Sequence, residues 1–159
     1  MEGARLAESA DVAIMVSIAD AHRQAVRSER GGELFLRRED FSPARFETML
    51  HEDLDRDDAI LVAGTYDDVV FGYARAAIEV LADGGSLMVL SDFLVERSIR
   101  KSGIGEAMMN LLLDEARQRR CTGIDSVALP GDRDTKNFFE SFGLKARMLT
   151  VHRSLESPG

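Results

Sequence analysis

The residues best suited to chemistry lie in the run Val95-Glu96-Arg97-Ser98-Ile99-Arg100-Lys101-Ser102-Gly103-Ile104-Gly105. It reads as the turn between a buried apolar strand and a long amphipathic helix. The start of a helix leaves several backbone N–H groups unpaired and carries partial positive charge. Gly103 and Gly105 let a ligand approach the backbone where a side chain would block it. Arg100 and Lys101 add positive charge to a chain whose net charge is −8. Together these features suit a pyrophosphate. Two common phosphate motifs do not fit. The run has no Gly-Lys-Ser or Gly-Lys-Thr, and a dinucleotide fingerprint would need a third Gly or Ala at Met108 after an early parallel strand. Taken alone, the glycines also fit a plain tight turn packed on a sheet. A second candidate is Asp92, the only ionisable residue inside an otherwise apolar strand. Burial raises a carboxyl pKa toward values useful to a general base. A purely structural pair or cap accounts for Asp92 equally well.

These residues need a scaffold, and the periodicity supplies one. Residues 4–8 read as a first strand, after which Ser9 or Asp11 caps a helix. Val12, Val16, Ala19 and Arg23 follow helical spacing, with Met15 and Ile18 on the same broad face. Gly31-Gly32 stops that helix, and 33–40 is ambiguous between a loop and a short helix. Ser42-Pro43 starts another helix, with Phe46, Met49, Leu50 and Leu54 as its apolar stripe. Strands at 59–66, 69–81 and 85–95, joined by turns at Asp67-Asp68 and Asp83-Gly84-Gly85, form an antiparallel meander. In the third of them, Leu87, Val89 and Phe93 alternate with Met88, Leu90 and Leu94. Both faces are apolar, which predicts a central strand covered on both sides. A long helix over 103–120, a strand over 124–129, a short helix from Asp134 or Thr135 through Ser141, and a last strand over 144–154 complete the order. The expectation is one α/β domain spanning residues 1–159, with a mixed, mostly antiparallel sheet, helices on both faces and a disordered tail at 155–159.

Composition excludes several classes of function. The chain has 159 residues, of which 45% are hydrophobic and 30% charged, enough for one domain with a real core. No apolar run approaches the roughly 20 residues of a membrane span. The N-terminus lacks the basic start and apolar stretch of a signal peptide, so a cytoplasmic location is expected. The acidic balance argues against nucleic-acid binding. Cys121 stands alone, so neither an intrachain disulfide nor a thiolate metal site is available. It reads as a partly buried spacer after a helix, with a thiol activated by Arg119 and Arg120 as the sharper alternative. His22, His51 and His152 have no metal-like spacing, and no metal is expected. Glu52, Asp53, Asp55, Asp57 and Asp58 form an acidic cluster, either a solvated helix end or an acidic rim attracting a cationic amine.

Arg100-x-x-Gly103-x-Gly105, following the strand that ends Phe93-Leu94-Val95, resembles the central motif of the GNAT acetyltransferase superfamily. Asn137-Phe138-Phe139-Glu140-Ser141-Phe142-Gly143-Leu144 is similar to that family's second motif, a helix with two aromatics leading to Gly-Phe. The element order matches the family over residues 4–154. The resemblance implies two central strands that splay apart, with the pantetheine arm of acetyl-CoA in the gap. Phe93, Leu94 and Val95 would pair with its amides. Arg100, Lys101, Ser102, Gly103, Ile104 and Gly105 would hold the pyrophosphate. Asp132 and Phe139 would close the other side. Lys101 stands where a glycine is common, and Asp132 near where an asparagine often contacts the cofactor.

Acetyl transfer to an amine requires loss of an amine proton, a donor for the oxyanion, and a fate for the departing thiolate. The resemblance implies a backbone N–H near Leu94 as the oxyanion donor. Asp92 is the expected base, with Glu79 or a base acting through water as alternatives. The family often has a tyrosine acid where this chain has Phe139, and the only tyrosines are Tyr66 and Tyr73. The expected activity is acetyl-CoA-dependent N-acetyl transfer, by direct attack in a ternary complex, to a primary amine of a small molecule or protein. The alternatives are a catalytically silent coenzyme A-binding regulatory domain and a purely structural module. His51 reads as a surface histidine. Gly31-Gly32-Glu33-Leu34-Phe35 is the expected acceptor-selecting segment. Family members often pair through edge strands, which leaves a homodimer open.

Overall fold

The computed structural model describes residues 1–157. Its sheet has the order β1-β2-β3-β4-β5, with β1 Glu2–Leu6, β2 Ala59–Tyr66, β3 Val69–Val80, β4 Ser86–Val95 and β5 Gly123–Asp125. The first four strands are antiparallel neighbours, and β5 runs parallel to β4. Helices α1 (Val12–Val26), α2 (Gly32–Arg37) and α3 (Pro43–Leu54) come before β2, α4 (Ile104–Gln118) joins β4 to β5, and α5 (Arg133–Ser141) follows β5.

Two apolar clusters lie on opposite faces of the sheet. On one face Val12, Met15, Ile18 and Ala19 of α1 and Phe46 and Leu50 of α3 pack on Leu61, Ala63 and Tyr73. On the other, Ile104, Met108, Met109 and Leu112 of α4, with Phe139 of α5, pack on Ile60, Val62, Ala74, Ala76, Met88 and Leu90. The start of α4 is pressed against the sheet where β2 and β3 have glycine. A Cβ on Gly64 would lie 2.6 Å from Ile104 and 2.7 Å from Met108. That close approach sets the turn before α4 directly over the strands. On the opposite side, Asp11 accepts two hydrogen bonds from Arg5, at 2.7 and 2.9 Å, and one from the Glu8 N–H, at 2.8 Å. The guanidinium of Arg5 is the main reason the Asp11 carboxyl titrates below its ordinary range. These bonds tie the end of β1 to the start of α1.

Three expectations need correction. The alternation expected along β4 breaks at Ser91, where Arg75 pairs with Asp92 but Ala76 pairs with Leu90. This extra residue is a β-bulge. Beyond it the faces exchange, so Phe93 and Val95 join Met88 and Leu90 toward α4, while Leu94 turns toward α1. The strand expected over 124–129 is reduced to Gly123–Asp125, because β4 and β5 stay paired only from Leu87–Gly123 to Val89–Asp125. The last strand, expected over 144–154, does not form. So short a β5 offers little edge to pair with. Met148, Leu149 and Val151 stay exposed, and the segment is held to the sheet by the Arg147–Asp125 ion pair. Of the tail expected to be disordered, Pro158 and Gly159 lie outside the described residues, while Glu156 lies 3.6 Å from Arg37. No helix among the described residues is long and apolar enough to cross a membrane.

Candidate active site

Separation of β4 from β5 after Val89 opens a V between the two strands. The second half of β4 remains paired to β3 as far as Val95–Gly72, so it stays rigid while its other edge is free. The Glu96 N–H donates to the Phe71 carbonyl at 2.8 Å. Hydrogen-bonded positions recur at every second residue of an antiparallel ladder. Leu94, opposite Tyr73, therefore directs its N–H into the sheet. The oxyanion donor was expected near Leu94, whose own N–H is thus engaged by β3. The N–H groups of Phe93 and Val95 face the V instead.

The turn after β4 bends through a 3-10 segment, Arg97–Ile99, before α4 begins. Gly103 caps α4 with φ +92°, and Lys101 also has positive φ, +68°. A Cβ on Gly103 would lie 2.9 Å from Cγ of the exposed Glu2 side chain, which would have to shift, so it is the left-handed conformation that favours glycine there. Arg100 and Lys101 are exposed, whereas Ile104 is fully buried and offers a ligand only its backbone. Ser102 Oγ is buried without a hydrogen-bond partner. An orphaned hydroxyl among free helix-start N–H groups fits an anionic ligand. A cleft of about 270 Å³ adjoins the turn, lined by Arg97, Arg100, His22, Glu29 and Asp132. Asp132 caps α5, accepting from the Thr135 N–H at 3.1 Å and from its hydroxyl at 2.7 Å. Phe139 lies in an aromatic group with Phe93 and Phe138, 5.7 Å and 5.9 Å from their centroids, and is only 6% exposed.

The bulge turns Asp92 toward α1. Its Oδ2 accepts a hydrogen bond from the Tyr73 hydroxyl at 2.7 Å and lies 4.0 Å from the Arg23 guanidinium. Burial, reinforced by the Asp92 carboxylate, pushes the Tyr73 phenol well above its ordinary range, so Tyr73 remains a neutral donor. The Arg23 guanidinium lies 4.3 Å from the ring centroid of Phe41 and 4.2 Å from that of Phe46. Phe41 stacks in turn on Phe35 of α2 at 6.2 Å, which connects the segment expected to select the acceptor to Arg23. Burial lowers the titration of His22, opposed by the Asp132 and Asp92 carboxylates. An uncharged imidazole therefore stands at the edge of the cleft.

Other candidates lie elsewhere. Glu79 is exposed, six residues along β3 from Tyr73, roughly 20 Å away at strand spacing. His51 is exposed, with Glu47 4.0 Å away. The acidic cluster is matched by arginines. Asp53 is buried against Arg75, Arg56 pairs with Asp58 at 2.9 Å, and Arg119 donates to the Asp57 carbonyl at 2.7 Å. It is a structural joint between α3 and β2. From sequence, Tyr73 stands out only as a tyrosine that could serve as acid, His22 is set aside with the other histidines, and Arg23 reads as one more residue on an apolar stripe. A cation in register with Val12, Val16 and Ala19 was the available signal.

The model of the acetyltransferase (GNAT) family matches residues 23–144. No curated protein matches the sequence significantly. Among solved structures, a transcriptional regulator from Bacillus halodurans superposes with a TM-score of 0.74 at 17% identity, covering 98% of this chain and 100% of that one. A predicted acetyltransferase from Clostridium acetobutylicum, solved with acetyl-CoA, gives 0.73 at 17% identity over 98% and 97%. Glucosamine-6-phosphate N-acetyltransferase from Arabidopsis thaliana gives 0.70 at 14% identity over 98% and 99%. At these identities the likeness is one of fold.

Proposed function

The chain belongs to the GNAT acetyltransferase family, and from that premise we propose that it transfers the acetyl group of acetyl-CoA to a primary amine by direct attack in a ternary complex. The observation that carries this reading is the V between β4 and β5, with a glycine-capped helix start at one end and the Asp92–Tyr73–Arg23 group beside it. Acetyl-CoA, when bound, supplies an activated acetyl group on a thiol with a tolerable leaving tendency, a thiol pKa of ~8.5 being the guide.

The chain's own residues do the rest. Backbone N–H groups from Lys101 through Gly105, with the Ser102 hydroxyl and the Arg100 side chain, receive the pyrophosphate, the Arg100 N–H itself donating to the Arg97 carbonyl. Phe93 and Val95 offer backbone groups along the open edge of β4, and one of their N–H groups serves as the oxyanion donor. Asp132 and Phe139 border the other side. Asp92 takes one proton from the bound ammonium so that the neutral amine attacks the acetyl carbon, and the second nitrogen proton passes to solvent as the tetrahedral intermediate collapses and the carbon–sulfur bond breaks. Tyr73 holds one oxygen of that carboxylate in place, leaving the other for the amine. The departing sulfur takes a proton from solvent, since Phe139 has none to give.

Release of free coenzyme A thiol from acetyl-CoA, measured against a panel of amines, tests the reading. Amine-dependent release supports it. Binding of acetyl-CoA without release on any amine would favour a silent binding domain instead.

A further inference from the structure

We propose that the acceptor is a small zwitterion of the amino-acid type, its ammonium received by Asp92 and its carboxylate by Arg23. This rests on the acetyltransferase reading above and narrows its acceptor. The Arg23 side chain is 13% exposed, yet its guanidinium makes no hydrogen bond among the described residues. Its faces are occupied by Phe41 and Phe46, which leaves its N–H edge as the means of binding. Five donors in a planar fork on a mostly buried side chain, with no hydrogen-bond partner among the described residues, call for a carboxylate that can accept two at once. Asp92 does not fill that role, since its nearest oxygen is 4.0 Å away and already accepts from Tyr73.

Charge balance points the same way. Arg75, opposite Asp92 in the ladder, is paired with the buried Asp53, so Arg23 and Asp92 are left to balance each other. A bare ammonium arriving at Asp92 would sit beside Arg23, and like charges at such range in a half-buried site are costly. A molecule bringing its own carboxylate leaves the sum unchanged. The short gap between the two groups suits an amine and a carboxylate on neighbouring carbons. Arg23 also lines a cleft of about 290 Å³ together with Asp20, Arg27, Phe41 and Ser42, which leaves room for a side chain. That volume is at the small end for ligand pockets and suits a metabolite better than a protein surface.

The test compares each amino acid with the amine that lacks its carboxylate, leucine against isopentylamine for example, using thiol release from acetyl-CoA. At least about tenfold higher kcat/KM for the amino acids is expected, with that preference lost in Arg23→Gln. Arg23→Lys, which keeps the charge without the fork, is expected to recover part of it. Equal rates for both members of each pair would overturn the inference, as would turnover of plain amines alone. Calorimetry with acetyl-CoA on the same protein separates the two levels. Binding without a carboxylate preference removes only the acceptor assignment, whereas no binding removes the acetyltransferase reading on which it rests.

Discussion

The turn after β4 and the Asp92–Tyr73–Arg23 cluster under α1 are made of different materials. The turn is built from backbone, with Gly103 at φ +92°, Lys101 at φ +68° and a row of helix-start N–H groups. Its residues are contiguous in sequence, and side chains matter there mainly by being absent. The cluster is built from side chains carried on separate elements. Arg23 comes from α1, Phe41 and Phe46 from the start of α3 and the residues before it, Tyr73 from β3, and Asp92 from a bulged β4. Backbone geometry can be kept while most side chains change, which suits a common co-substrate. A side-chain constellation changes with single substitutions, which suits a varying acceptor.

Variants should separate the two regions. Asp92→Asn is expected to lower kcat by about 10²–10⁴ while acetyl-CoA affinity, read by calorimetry, changes little. An unchanged rate would remove Asp92 as the base. Gly103→Val is expected to do the reverse. A β-branched residue in the left-handed region is strained by roughly 1–2 kcal/mol and meets Glu2, and misplacement of the turn should weaken acetyl-CoA binding about 100-fold. Normal binding by that variant would mean that the pyrophosphate lies elsewhere. Tyr73→Phe removes the 2.7 Å hydrogen bond to Asp92 and is expected to cost about 1–2 kcal/mol in urea denaturation, with a smaller fall in rate than Asp92→Asn.

The smallest effect is a pH dependence. Burial holds His22 below its ordinary value of 6.5, so the folded chain binds fewer protons there than the unfolded chain. Stability is then full above 6.5 and falls as pH drops through the lowered value. Thermal denaturation across that range should show the slope, and His22→Asn should flatten it.

Much of this architecture was legible in the sequence because it depends on local periodicity. The strand over 59–66 and the Ser42-Pro43 helix start fall where expected. The Arg100–Gly105 turn was legible for the same reason, since glycines in sequence and a helix start are local facts. The bulge at Ser91 was not, because it depends on the register between two strands. It decides which way Asp92 and Leu94 point, so an unbroken alternation misassigned the faces beyond it. The last strand was misread because pairing requires an edge that a three-residue β5 does not supply. Arg23 escaped notice because helical spacing reports which face a residue occupies and says nothing of its partners.

The central claim is that the V beside the glycine-capped turn receives acetyl-CoA. Calorimetric titration of the purified protein, cleared of any co-purified ligand, tests it most directly. Saturable one-to-one binding that is lost in Gly103→Val is the predicted result. No binding at high acetyl-CoA concentration would contradict the account and leave Arg100 to Gly105 as a structural turn.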